Sequence, residues 1–168
     1  MIFVINMQST AQCAAIISMI KIQRTTSDDP GFRSLTRELD AYLTEVFGEV
    51  QTYYAQFNTL TNAEKTVVVF DDEIAVGCGC LREFDAQTVE LKRMFVAKEY
   101  RNKGIAASIL LELEKWGCEV GYKKMILETG SLLNEAISFY QKHAYKIIPK
   151  WGQYIGLDMS VCMEKQLQ

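Results

Sequence analysis

Proline and histidine are scarce in this chain: Pro30, Pro149 and His143 are the only ones among 168 residues. One histidine leaves no His-based ligand set for a metal, and the five cysteines (Cys13, Cys78, Cys80, Cys118 and Cys162) are odd in number and scattered, apart from a C-x-C at 78 and 80. That spacing fits neither a zinc site nor a disulfide framework. The cysteines are expected to be reduced, mostly buried thiols in a reducing compartment. A surplus of cations is missing too: 18 Lys and Arg face 21 Asp and Glu, which excludes gripping a polyanion as the main task. No apolar run reaches the ~18 to 20 residues needed to cross a bilayer. No basic residue precedes the apolar stretch Ala14 to Ile20, so the positive flank of a secretory signal is absent. These absences favour a cytoplasmic protein with neither nucleic acid, membrane nor metal among its partners.

What remains is one domain's worth of chain, with no repeat, low-complexity tract or linker. Residues 1–19 are set apart as an N-terminal extension, a mis-assigned start or an extra edge strand, and residues 20–168 as the domain. Lys21 to Thr25 suits a first edge strand. After the cap and turn residues Ser27 to Gly31, the positions Phe32, Leu35, Leu39, Leu43 and Val46 recur at helical spacing until Gly48, an amphipathic helix with a start and a stop. A short helix over Val50 to Phe57 and a loop from Asn58 to Lys65 follow. Thr66 to Phe70 and Ile74 to Leu81 read as a hairpin, and Thr88 to Val96 as a third strand after the polar connection Arg82 to Gln87. Gly104 to Gly121 carries Ile105, Ile109, Leu113, Trp116 and Val120 on one helical face. Met125 to Glu128 then reads as a strand, Asn134 to His143 as a helix capped by Asn134, and Tyr145 to Ile148 and Leu157 to Glu164 as final strands. This order gives an α/β protein, a mixed sheet with helices on both faces.

The chemistry concentrates between Val89 and Ala106. There a strand and a tight turn lead through Arg101-x-x-Gly104-x-Ala106 into the long helix. A helix N-terminus presents unpaired N–H groups and partial positive charge, so such a turn can cradle a phosphate. Gly104 allows close approach, and Arg101 and Lys103 add charge suited to a diphosphate. The arrangement G-x-x-x-x-G-K-[ST] of a nucleotide P-loop is absent.

Taken with the order of elements, these residues resemble the GNAT acetyltransferase superfamily. Its strand followed by [RQ]-x-x-G-x-[GA] is matched by Met94-Phe95-Val96 and Arg101 to Ala106. Its later helix, with Asn near the start and Tyr near the end, is matched by Asn134 and Tyr140, followed by Ala144 where many members have Gly. The resemblance covers residues 20 to 164 and implies the GNAT fold: a central mixed, mostly antiparallel six- to seven-stranded sheet with helices on both faces. It implies an N-acetyltransferase using acetyl-CoA as co-substrate, without a metal. The diphosphate would lie on the amides of Asn102, Lys103, Gly104, Ile105 and Ala106. The pantetheine arm would pair with Met94, Phe95 and Val96 like an added strand.

The implied reaction is direct attack of a neutral amine on the thioester, which requires a base for the amine and an acid for the leaving thiolate. Tyr140 stands where the family places the acid. Glu90, which two-residue alternation puts on one strand face with Lys92 and Met94, is the first candidate base, and Glu128 the second. For either carboxylate the competing role is a salt bridge, for instance with Lys92 or Arg93. His143 suits a helix C-terminus, and Cys78 and Cys80 lack an evident activating partner. Acceptor choice is expected to reside in Arg82 to Gln87 and in Trp151 to Tyr154, with Gln153 or Tyr154 helping to form the pocket. Glu83, Asp85 and Glu128 hint at a cationic acceptor, whether a small-molecule amine or a peptide amine. A non-catalytic acyl-CoA-binding or regulatory module stays open, as does a homodimer built on the last strands.

Overall fold

The computed structural model describes residues 20–57 and 65–168; the extension at 1–19 and the loop expected at 58–64 lie outside the described residues. Seven strands form one sheet: β1 (Ile20–Thr25), β2 (Lys65–Asp71), β3 (Ile74–Glu83), β4 (Thr88–Val96), β5 (Lys124–Gly130), β6 (Lys146–Ile148) and β7 (Ser160–Gln166). Their order is β1-β2-β3-β4-β5-β7-β6. Only β4 and β5 pair in parallel, as a helical crossover between them requires. Helices α1 (Pro30–Phe47), α2 (Val50–Ala55), α3 (Ile105–Glu119) and α4 (Asn134–Lys142) complete the described elements. None of these helices is long and apolar enough to cross a membrane.

Each face of the sheet has its own core. Val67, Val69, Leu81, Val89 and Leu91 meet Ile105, Ile109, Leu110 and Leu113 of α3 and Tyr140 of α4. On the opposite face Phe32, Leu35 and Leu39 of α1 pack on Val68, Cys78, Cys80 and Phe95. Burying each such aliphatic or aromatic side chain contributes about 1.5–3 kcal/mol. α3 sits close to β3 because Gly79 carries no side chain; a Cβ there would lie 2.9 Å from Leu113 Cδ1. α1 starts as its sequence dictates. Pro30 opens it, and the Asp29 carboxylate accepts from the Phe32 amide at 3.1 Å.

Most boundaries shift by one or two residues from the sequence expectation, and three of the departures have a visible cause or consequence. β3 continues to Glu83, because the turn is closed further on by Phe84 and Asp85 amides donating to the Thr88 carbonyl. β7 begins at Ser160 rather than Leu157, since the Leu157 and Ser160 amides are spent on local turns to Tyr154 and Leu157. Asn134 is the first residue of α4 rather than its cap. The capping position is Leu133, without a side-chain bond, which leaves the Asn134 amide group free for other work.

At the other end of α4, Ala144 adopts φ +69° while the Tyr145 amide donates to the Tyr140 carbonyl at 3.0 Å. This left-handed helix end is costly for any residue with a Cβ. Ala144→Gly is therefore expected to stabilise the protein by about 0.5–1 kcal/mol, measured as a raised midpoint in denaturant unfolding with an unchanged slope.

Candidate active site

β4 and β5 are paired only from Thr88 and Lys124 to Leu91 and Leu127. Beyond that point β4 runs on against β3 as far as Val96, and β5 against β7 as far as Gly130. The cause lies within β4. Cys80 is opposite Lys92 and Cys78 opposite Phe95, so one β3 residue faces both Arg93 and Met94, and Arg93 takes φ +56°. A bulge of this kind bends and twists its strand.

The extra residue also resets the alternation. Lys92 lies opposite Cys80 of the α1-facing core, and Arg93 reaches α1 itself, whereas Met94 packs with the α3-facing core. The expectation that Met94 shares a face with Glu90 and Lys92 is corrected on this ground: period two fails across a bulge.

The divergence opens a cavity of about 840 Å³. One wall is built for anions. Lys98–Tyr100 form a single 3₁₀ turn, Asn102 and Gly104 take φ +61° and +80°, and α3 begins at Ile105 without a side-chain cap. The amides of Asn102 to Ala107 meet no acceptor among the described residues; the first amide to find one is Ser108, which donates to the Gly104 carbonyl at 3.0 Å. Apart from its chain neighbours, no atom of the described residues lies within 4 Å of the place a Cβ would take on Gly104, so the backbone is open on that side.

The Arg101 guanidinium is held 5.0 Å from the Tyr42 ring centroid and 5.8 Å from that of Phe95, with Nε donating to the Val96 carbonyl. Lys103 points elsewhere, 4.7 Å over the Tyr100 ring, and is not among the residues lining the cavity. The other residues assigned to the donor site, Met94, Phe95, Val96, Arg101, Asn102, Gly104, Ile105, Ala106, Asn134 and Tyr140, all border it.

Tyr140 is buried, with edge contacts to Phe139 and Tyr145. Burial pushes its hydroxyl well above the ordinary phenol range, so it stays protonated. The two candidate bases are placed differently. Glu90 is wholly buried: it accepts from Arg82 Nε at 3.0 Å and Nη2 at 2.5 Å, and from the Tyr154 hydroxyl at 3.3 Å, with Lys92 Nζ at 3.4 Å. It does not line the cavity. Glu128 does, accepting from Ser160 Oγ at 2.6 Å. Burial is the main cause raising its pKa above the ordinary carboxylate value, partly offset by the Ser160 hydrogen bond and Lys92.

Sequence reasoning missed several features of the site. Arg93 sends Nη1 to Asp40 at 2.8 Å and Nη2 to the Thr36 carbonyl at 2.7 Å. Lys92 donates to the Tyr154 hydroxyl at 3.0 Å, and Gln51, Tyr54 and Phe57 border the cavity from the α2 side. These groupings depend on the bulge and on contacts between residues distant in sequence, for which the sequence holds no signal. Tyr154, an expected pocket residue, lines the cavity, whereas Gln153 is exposed and outside the lining. Cys78 and Cys80 are buried, and burial pushes the Cys80 thiol up to about 12. His143 ends α4, with Nδ1 2.8 Å from the Phe139 carbonyl oxygen. The described cysteines are free, and among the described residues no cluster could hold a metal.

A model of the Acetyltransferase (GNAT) family matches residues 32–145, and the chain belongs to that family. It is 33% identical over 106 residues to the "Uncharacterized N-acetyltransferase YjcF" of Bacillus subtilis, covering 62% of this chain and 73% of that one. To the "Probable N-acetyltransferase 14" of Xenopus tropicalis it is 34% identical over 87 residues, 51% of this chain, and it spans only 42% of that protein's length. Among solved structures, the "putative acyl-CoA N-acyltransferase" of Klebsiella pneumoniae superposes with a TM-score of 0.75 at 24% identity, over 89% of this chain and 99% of that one. A GNAT family acetyltransferase of Elizabethkingia anophelis, solved with acetyl-CoA bound, superposes with a TM-score of 0.62 at 21% identity, over 88% and 98%. Both share the fold described above.

A carboxyl group whose folded-state pKa is raised destabilises the fold as pH climbs from its unfolded to its folded value, because the native state then binds the extra proton. Glu128→Gln keeps an acceptor for Ser160 and removes the buried charge. The variant is expected to exceed the parent in unfolding free energy at pH 7 and to match it near pH 4, in parallel urea titrations.

Proposed function

We propose that the chain transfers an acetyl group from acetyl-CoA to an amine by direct attack within a ternary complex. The observation that carries this is the run of unpaired amides from Asn102 to Ala107, set beside a β4 edge that β5 leaves free beyond Leu91. The amides offer a diphosphate fixed donors and a helix N-terminus. The free edge at Met94 to Val96 offers backbone groups to an extended amide-bearing arm. Arg101, pinned between Tyr42 and Phe95, keeps its charge at the mouth of the cradle.

The bound thioester supplies an activated acyl carbon and a thiolate leaving group. Tyr140 borders the cavity with its hydroxyl protonated, so it is placed to hydrogen-bond the departing sulfur and supply its proton, although burial, by raising its pKa, makes it a weaker acid. Glu128 borders the cavity and has a pKa raised toward neutrality, which suits uptake of the amine's proton. Glu90, enclosed by Arg82, Lys92 and Tyr154, is assigned a positioning role: it holds Lys92 and Tyr154 in place at the acceptor end.

Thiol release from acetyl-CoA, followed across a panel of amines, tests the proposal. Tyr140→Phe and Glu128→Gln are expected to lower kcat by about 10² to 10⁴ while coenzyme A binding by calorimetry is retained. Unaltered kcat in both variants would remove the proton roles. Binding of coenzyme A without release to any amine would make the chain an acyl-CoA-binding module instead.

A further inference from the structure

The acidic residues that hinted at a cationic acceptor are mostly elsewhere. Glu83 is occupied by the Tyr122 hydroxyl at 2.9 Å. The Asp85 carboxylate accepts from the Gln87 and Thr88 amides at 2.8 and 2.7 Å, which holds it below the usual carboxylate range. Neither lines the cavity.

The buried charge that does border the cavity is positive. Lys92 and Arg93 are 8% and 7% exposed, and both line it. Glu90 is shared between Arg82 and Lys92, so two cations meet one carboxylate. The partner of Arg93 is Asp40, whose side chain is 53% exposed and so screened by water. Two buried donors have no partner among the described residues, Arg93 Nε and Trp151 Nε1. Lys92 Nζ, with three N–H bonds, serves Tyr154 and Glu90 and keeps one in hand. A buried N–H left without an acceptor is costly, and an anion entering the cavity can meet the one that Lys92 keeps.

Resting on the acetyl-transfer reading above, we infer that the acceptor carries a carboxylate as well as its amine: it is a free amino acid, held by its carboxylate on the spare N–H of Lys92, with the positive charge of Arg93 on the same cavity lining. Glu128 lines the same cavity as Lys92 and Arg93, so a molecule with both groups can place its amine at Glu128 and its anion at the cations. Tyr54, Phe57, Tyr154 and Met159 line the same cavity, with Phe57 and Tyr154 in edge contact at 5.9 Å. These favour an apolar side chain.

The test uses the whole protein and three matched acceptors: phenylalanine, phenethylamine and phenylalaninamide. Phenethylamine is the more basic and phenylalaninamide the less basic amine, so basicity alone cannot favour phenylalanine over both. The expected result is a kcat/KM for phenylalanine at least about tenfold above either. Lys92→Gln is expected to raise KM for phenylalanine about tenfold more than it raises KM for phenethylamine. Equal or faster turnover of the two acceptors without a carboxylate overturns this inference and leaves acetyl transfer to amines standing. Calorimetry of phenylalanine into protein saturated with coenzyme A separates the two claims. If phenylalanine binds and phenethylamine does not, yet no amine releases thiol, transfer falls and the carboxylate site stands. If neither binds and no amine is turned over, both fall.

Discussion

One extra residue in a strand governs this molecule. Because Arg93 and Met94 together occupy the space opposite a single residue of β3, β4 bends out of register with β5, and the two part company after four paired residues. Without that parting, the central sheet would be closed, and the cavity between α1, α3 and α4 would be filled by continuous hydrogen bonding. Arg93 itself holds the bend in place, tied through Asp40 and the Thr36 carbonyl to the helix that covers it. Bulges next to active sites are recurrent devices for redirecting side chains; here the bulge opens the gap and sets Arg93 on its lining.

The remaining architecture divides the labour on either side of that gap. On one side, a turn with two left-handed residues leads into α3 and leaves six successive amides unpaired, while the backbone edge of β4 runs alongside. On the other, a buried polar cluster of Arg82, Glu90, Lys92 and Tyr154 is satisfied almost entirely from within. A polar network of this kind is rigid when complete. Glu128 lies apart from it, bonded to Ser160 alone among the described residues, and so keeps the freedom to exchange a proton.

Much of the fold was legible in the sequence because its signals are local. Pro30 and Asp29 start α1, Gly48 ends it, and the three- and four-residue spacing of Ile105, Ile109 and Leu113 marks α3. The cradle was legible for the same reason, since Arg101 to Ala106 are contiguous. The chemistry facing the acceptor was not. Period-two reasoning carried Met94 to the wrong face, as a bulge has no dependable mark in sequence. The bond between Lys92 and Tyr154 joins residues 62 apart, and the one between Ser160 and Glu128 residues 32 apart. Asn134 looked like a helix cap because Asn favours that position; the helix begins with it instead, on the cavity wall.

Tyr154 sits on a three-residue turn, Gly152–Tyr154, in the connection from β6 to β7. That connection is separate in sequence from the turn ahead of α3, yet Tyr154 and Met159 border the same cavity as Asn102 and Gly104. The segment from Trp151 to Met159 is thus a faceplate set apart from the engine: under the acetyl-transfer reading, changing it alters what the cavity admits while the amides ahead of α3 stay as they are.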